Sequence, residues 1–361
     1  MVLGLGSLCA DGAHASEIIW RVENNFRLLK HAADQEWIKS IAIESLHPES
    51  ATISINDISK KWKSVPATFY DKASGVYEPG YVSPQKWSIR LSSASSPYGS
   101  QCDWFINGDG FKGPCHDFVP TLQVGEGPTE VSVLSSTGVK ASTQIKIKDV
   151  LFAVLGDSYI SGEGTPDVFQ DGQKRKAQWW DQKCHRSLYA WPVLVAGRYA
   201  AENLQQSVTL VSRACSGAVI NDVNNEKNIL SKGIDKNLRV GGSTELRPQI
   251  TQLIKDLCLG TWLNGKNGEG KCEGNLRNPD YLLLSIGGND AKFAEVVIHA
   301  LLRKINQGIE LKSDQQRGSA LDNLFNLLLG MDKQITNYQT EALNTIKSLE
   351  QSYPKMAERL F

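Results

Sequence analysis

The stretch DVLFAVLGDSY, residues 149–159, decides how the second half of this chain is read. Residues 150–155 form an unbroken apolar run of strand length. Such a run predicts a strand buried on both faces, as in a parallel sheet covered by helices. It ends at Gly156-Asp157-Ser158-Tyr159, a turn of small and polar residues. Working outward, two more apolar runs end in the same way. Residues 207–214 lead into Cys215-Ser216-Gly217-Ala218, and residues 281–286 lead into Gly287-Gly288-Asn289-Asp290. Helix-period stretches at 190–203 and 244–257 separate the three runs. Strand–helix alternation of this kind predicts an α/β domain, a parallel sheet sandwiched between helices, over residues 149–361. Beyond Asp290 the chain reads as helix, most clearly at 293–305, 320–331 and 336–351.

Upstream, the period changes from continuous to alternating. Trp87, Ile89 and Leu91 alternate with polar neighbours, as do Cys102, Trp104 and Ile106, then Val131 and Val133, then Ile145 and Ile147. Half-buried antiparallel strands carry this pattern. Asn107-Gly108 and Asp109-Gly110 offer the positive φ angles of a hairpin reversal, and Cys102 and Cys115 flank it, positioned for a bridge. Residues 52–148 therefore read as a small all-β, immunoglobulin-like sandwich. Residues 16–51 mix a strand-like IIWRV with a helical run and receive no assignment.

Composition bounds the rest. The 361 residues carry 39 basic and 39 acidic side chains, a net charge of zero. A neutral chain lacks the basic field that nucleic acid or an anionic membrane surface requires, and no apolar run is long enough to span a bilayer. The first fifteen residues, MVLGLGSLCADGAHA, end in a small-x-small run at Ala13-His14-Ala15 and read as a signal-like segment. Cleavage there would remove Cys9 and leave six of seven cysteines, the even number that disulfides in an oxidising compartment need. The reading is a secreted, periplasmic or cell-surface protein. No P-loop or HExxH is present, and no nucleotide, flavin or metal cofactor is expected.

A serine on a tight turn exposes its hydroxyl, a glycine lets a backbone N–H approach a ligand closely, and an asparagine amide adds a second donor. A nucleophile facing converging donors is the layout of acyl transfer. At these residues the chain resembles the SGNH/GDSL hydrolases, through Gly156-Asp157-Ser158, Gly217 and Gly287-Gly288-Asn289-Asp290. It is most similar to secreted bacterial members that read GDSY-x-SGEG and later C-H-R-S, here Cys184-His185-Arg186-Ser187. The resemblance covers roughly residues 149–352. It implies a three-layer, flavodoxin-like α/β core and an esterase or lipase-like enzyme cleaving a carboxylic ester, with Ser158 as nucleophile and Gly217 and Asn289 as oxyanion donors. Bridges Cys184–Cys215 and Cys258–Cys272 are expected, the second stapling the loop LGTWLNGKNGEGK. Glu163 and Arg186 read as solvated loop charges that could meet substrate.

The general base is the gap in this reading. The family places a histidine near its C-terminus, usually three residues after an aspartate, whereas the histidines here are His14, His31, His47, His116, His185 and His299. The expectation is a shortened chain without its last strands and its base, and hence with little or no esterase activity. The alternative is a non-catalytic protein that holds glycan or lipid on the same fold.

Overall fold

The computed structural model describes residues 18–46, 52–170, 176–218, 238–240, 244–246, 249–264 and 270–289. The helical stretches expected after Asp290, together with Cys9, His14, His47 and His299, lie outside these residues.

The first layer is antiparallel. Strands run in the order Asp109–Pro114, Gln101–Ile106, Thr129–Ser135, Lys140–Ile145. Trp104 and Ile106 face inward and Asp103 and Phe105 outward, the side-chain period of two that the alternating sequence demands. Asn107 (φ 49°) and Gly108 (φ 91°) make the reversal, while Asp109-Gly110 already belongs to the returning strand. The Cys102–Cys115 disulfide bridges the two flanks of this hairpin. Ile18–Val22, from the segment without an assignment, pairs antiparallel with Ile89–Ser93. Ile18, Val22, Ile89 and Leu91 pack with Trp104, Val131, Val133 and Ile145 into one core.

The second core surrounds the quoted stretch. Strand Lys148–Gly156 lies between Gln206–Ser212 and Tyr281–Ser285, parallel to both. Residues 150–155 are buried without interruption, which is why the run carries no alternation. At about 1.5–3 kcal/mol for each fully buried large apolar side chain, this strand anchors the layer. Helix Ala32–Glu44 packs on helix Trp191–Glu202, where Gly197 leaves room for Ile38: a Cβ on Gly197 would lie 3.2 Å from its Cγ2. Phe26, Leu28, Trp62, Tyr70, Tyr77 and Tyr81 join the same core. Residues 16–51 thus supply a strand to one core and a helix to the other.

The architecture corrects the expected fold class. The chain is not a three-layer flavodoxin-like α/β core: among the described residues β-strand predominates, with seven antiparallel strand pairings and two parallel ones. Residues 244–257, expected to be one helix, divide into a short strand Thr244–Leu246, paired with Leu238–Val240, and a helix Gln249–Leu257. A second short ladder joins Thr261–Asn264 to Gly270–Glu273 beside the Cys258–Cys272 disulfide. The physical reason is that an apolar run reports burial on two faces. It does not report how many neighbours will join it or in which direction. None of the described helices is long and apolar enough to cross a membrane.

Candidate functional site

The turns that follow the three parallel strands are laced together by hydrogen bonds. Gly156, at the end of the central strand, has φ 143° and sits against its neighbour. A Cβ there would lie 1.9 Å from the carbonyl oxygen of Ser285. The side-chain amide of Gln249 closes on the same residue, accepting from the Gly156 N–H and donating to its carbonyl, both at 2.9 Å. The Cys215 N–H donates to that carbonyl as well, at 3.0 Å. The ends of all three strands are thereby held around one glycine.

Asp157 then starts a one-turn helix, Ser158–Ser161, and its Oδ1 accepts the Tyr159 N–H at 3.1 Å. Its Oδ2 accepts the Gly288 N–H at 3.2 Å, while its own N–H donates to the Ser285 carbonyl at 3.0 Å. Burial pushes the Asp157 carboxyl above the usual aspartate range, and the backbone N–H groups bonded to it pull the other way. Ser158 opens the helix half-buried. Gly162 closes it in the left-handed region at φ 99°, where a Cβ would meet that of Ser187 at 2.6 Å.

The Gly217 turn is anchored from behind. Cys184 and Cys215 form a disulfide, and the Ser216 N–H donates to the Cys184 carbonyl at 3.0 Å. Gly217 itself is exposed, with φ 80°, in a backbone conformation that favours glycine. Asn289 reaches across to this turn: its Nδ2 donates to the Ala218 carbonyl at 2.8 Å. An amide nitrogen carries two hydrogens, so this bond orients Asn289 and leaves a second hydrogen on the same atom. Ser158, Gly217 and Asn289 therefore lie on three turns that are bonded to one another. Asp290 lies outside the described residues.

His185 stands beside the Ser158 helix. Its Nδ1 is 2.7 Å from Glu163 Oε2, and its ring stacks on Trp179 at 4.1 Å and 10°. The Glu163 N–H in turn donates to the Ser158 carbonyl at 3.1 Å. His116 belongs to the antiparallel layer, its Nε2 2.7 Å from the Ser96 carbonyl, and His31 precedes helix Ala32–Glu44. Arg186 departs from the solvated-charge reading. It is 4% exposed and bonds Asp181, the Tyr70 hydroxyl and the Ser212 carbonyl, so it braces the loop. Among the described residues no group of three His, Cys, Asp or Glu side chains is placed to hold a metal ion.

Two buried side chains that organise the site escaped the sequence reading. Gln249 opens an amphipathic helix and reads as an ordinary polar residue until Gly156 is brought against it. Asp167 is fully buried, accepting from the Leu188 N–H at 2.6 Å, the Ser187 hydroxyl at 3.2 Å and the Trp180 N–H. Burial pushes its carboxyl up to about 7. It holds together the loop that carries Cys184 and His185, yet nothing near it in sequence marks it as buried.

Comparisons with family models, with curated proteins and with solved structures find no match to this chain.

Proposed function

We propose that the protein is an exported serine hydrolase acting on carboxylic esters, of the kind its Gly-Asp-Ser, Gly217 and Gly-Gly-Asn-Asp segments resemble. Ser158 Oγ attacks the ester carbonyl, and the Gly217 N–H and the Asn289 amide stabilise the oxyanion that forms. The observation that carries this reading is the lacing of the three turns, in which Asn289 is bonded to the turn of Gly217 and Gly288 to the residue preceding Ser158. Three disulfides support export, since such bridges persist in oxidising compartments.

The step that limits this site is removal of the Ser158 proton. A serine without an adjacent base is a weak nucleophile. The Glu163–His185 pair has the arrangement that fixes an imidazole tautomer through Nδ1, but among the described residues no hydrogen bond joins that imidazole to Ser158 Oγ. Slow turnover follows.

The test is hydrolysis of p-nitrophenyl butyrate. Slow release of nitrophenol that Ser158→Ala abolishes is the expected result, with Asn289→Ala lowering it by about two orders of magnitude, the loss typical of one oxyanion donor. Hydrolysis unchanged by Ser158→Ala, or none above the buffer rate, would overturn the assignment. Fast turnover lost in both Ser158→Ala and His185→Ala would make His185 the base.

A further inference from the structure

Asp157 makes a connection that no other role in this site accounts for. Its two carboxylate oxygens are divided between two turns: Oδ1 takes the N–H of Tyr159, next to Ser158, and Oδ2 takes the N–H of Gly288, next to Asn289. The residue is 3% exposed, so water competes poorly for either bond. The backbone around it is already committed, with its N–H on the Ser285 carbonyl and its carbonyl accepting from the Ser161 N–H at 3.0 Å. Asn289, at the far side, is tied to the Ala218 carbonyl. The Ser158 turn, the Gly288-Asn289 turn and the Gly217-Ala218 turn thus form a chain of bonds in which Asp157 is the side-chain link between the first two.

We infer that Asp157 is a positioning residue, whose carboxylate sets the distance between the Ser158 nucleophile and the Asn289 oxyanion donor. This rests on the hydrolase reading above. A carboxylate suits the task because it is acceptor-only and can take an N–H on each oxygen. An asparagine of the same shape can accept on its oxygen, but it turns an NH2 group toward one of the two N–H donors, so one bond is lost and one turn is released.

A purely structural residue would lower stability and leave the chemistry of the folded fraction alone. A positioning residue lowers kcat and leaves KM nearly unchanged, because a displacement of about 1 Å at the reacting atoms is worth on the order of a hundredfold. The experiment is steady-state hydrolysis of p-nitrophenyl butyrate by the full chain, by Ser158→Ala and by Asp157→Asn, with urea midpoints measured on each. Asp157→Asn should lower kcat roughly 30- to 100-fold with KM within about twofold. A folded Asp157→Asn protein whose kcat stays within about threefold of the parent overturns the inference. If Asp157→Asn does not fold, Gly288→Pro deletes the same bond from its donor side, and the same kcat criterion decides. Failure of the hydrolase reading is seen separately, as turnover that Ser158→Ala does not change.

Discussion

Replacing Gly156 by alanine probes the joint on which the whole site hangs. The backbone there has φ 143°, which glycine adopts readily and L-residues rarely do. The added Cβ would lie 1.9 Å from the Ser285 carbonyl oxygen, 2.8 Å from its carbon and 2.6 Å from Ile160 Cγ2. The first two are backbone atoms of a paired strand, so relief requires moving Tyr281–Ser285 away from Lys148–Gly156. A residue held in a sparsely populated backbone region costs about 1–3 kcal/mol, and an extra methyl forced into a packed interior costs about 1–3 kcal/mol more. Together they give a loss of about 2–6 kcal/mol, against the 5–15 kcal/mol typical of a whole domain. Loss of the Gln249 closure on the same peptide would add to it. Urea unfolding followed by tryptophan fluorescence measures this directly, and ester hydrolysis should fall with it as the Asp157–Gly288 bond is pulled apart. A Gly156→Ala protein within about 0.5 kcal/mol of the parent, the range of an ordinary surface change, would refute the reasoning, since no close approach would then exist at this position.

Two further outcomes follow from the same geometry. Replacing both Cys184 and Cys215 by alanine opens a loop with a sequence separation of 31. On chain-entropy grounds this should lower the unfolding free energy by about 3.7 kcal/mol; a loss below about 1 kcal/mol in denaturant titration would show that the loop is held by other means. Asp167 gives a pH signature, with its folded carboxyl raised by burial to about 7 from 3.8. Between those values the folded protein keeps a proton that the unfolded chain has released, so stability should fall as pH rises through that window and level off above it. Lys72, which favours the charged carboxylate, and Tyr189 are the titratable neighbours. Urea midpoints measured from pH 4 to 8 test this. Asp167→Asn should flatten that slope, and an unaltered slope would assign it to another group.

The sequence marked the three turns better than the frame around them. Three strands ending in Gly156-Asp157-Ser158, Ser216-Gly217 and Gly288-Asn289 were legible because short apolar runs predict strands, and because glycine, serine and asparagine after such runs report turns; the first two strands are buried, while Tyr281–Ser285 is only partly so. The hairpin at Asn107-Gly108 and the Cys102–Cys115 and Cys258–Cys272 pairings, each across a short loop, were legible for similar local reasons. The frame was not. The prevalence of antiparallel pairing, the division of residues 244–257 between strand and helix, and the placing of Ile18–Val22 beside Ile89–Ser93 all depend on partners distant in the chain.

Side-chain roles separate along the same line. Arg186 looked like a loop charge in a polar stretch. Only the approach of Asp181, Tyr70 and the Ser212 carbonyl makes its burial tolerable, because a charge leaves water at bearable cost only when it is paired and hydrogen-bonded. Gln249 and Asp167 are further cases: each is polar in a sequence that says nothing of burial, and each is buried because folding brings backbone groups to it that need a partner. The sequence by itself determined where the apolar strands run, where they turn and which residue types stand at those turns, since these follow from local periodicity and backbone preference. Tertiary structure decided pairing direction, the lacing of the three turns and the polar residues that brace them, because hydrogen-bond partners in an interior are assigned only when distant segments meet.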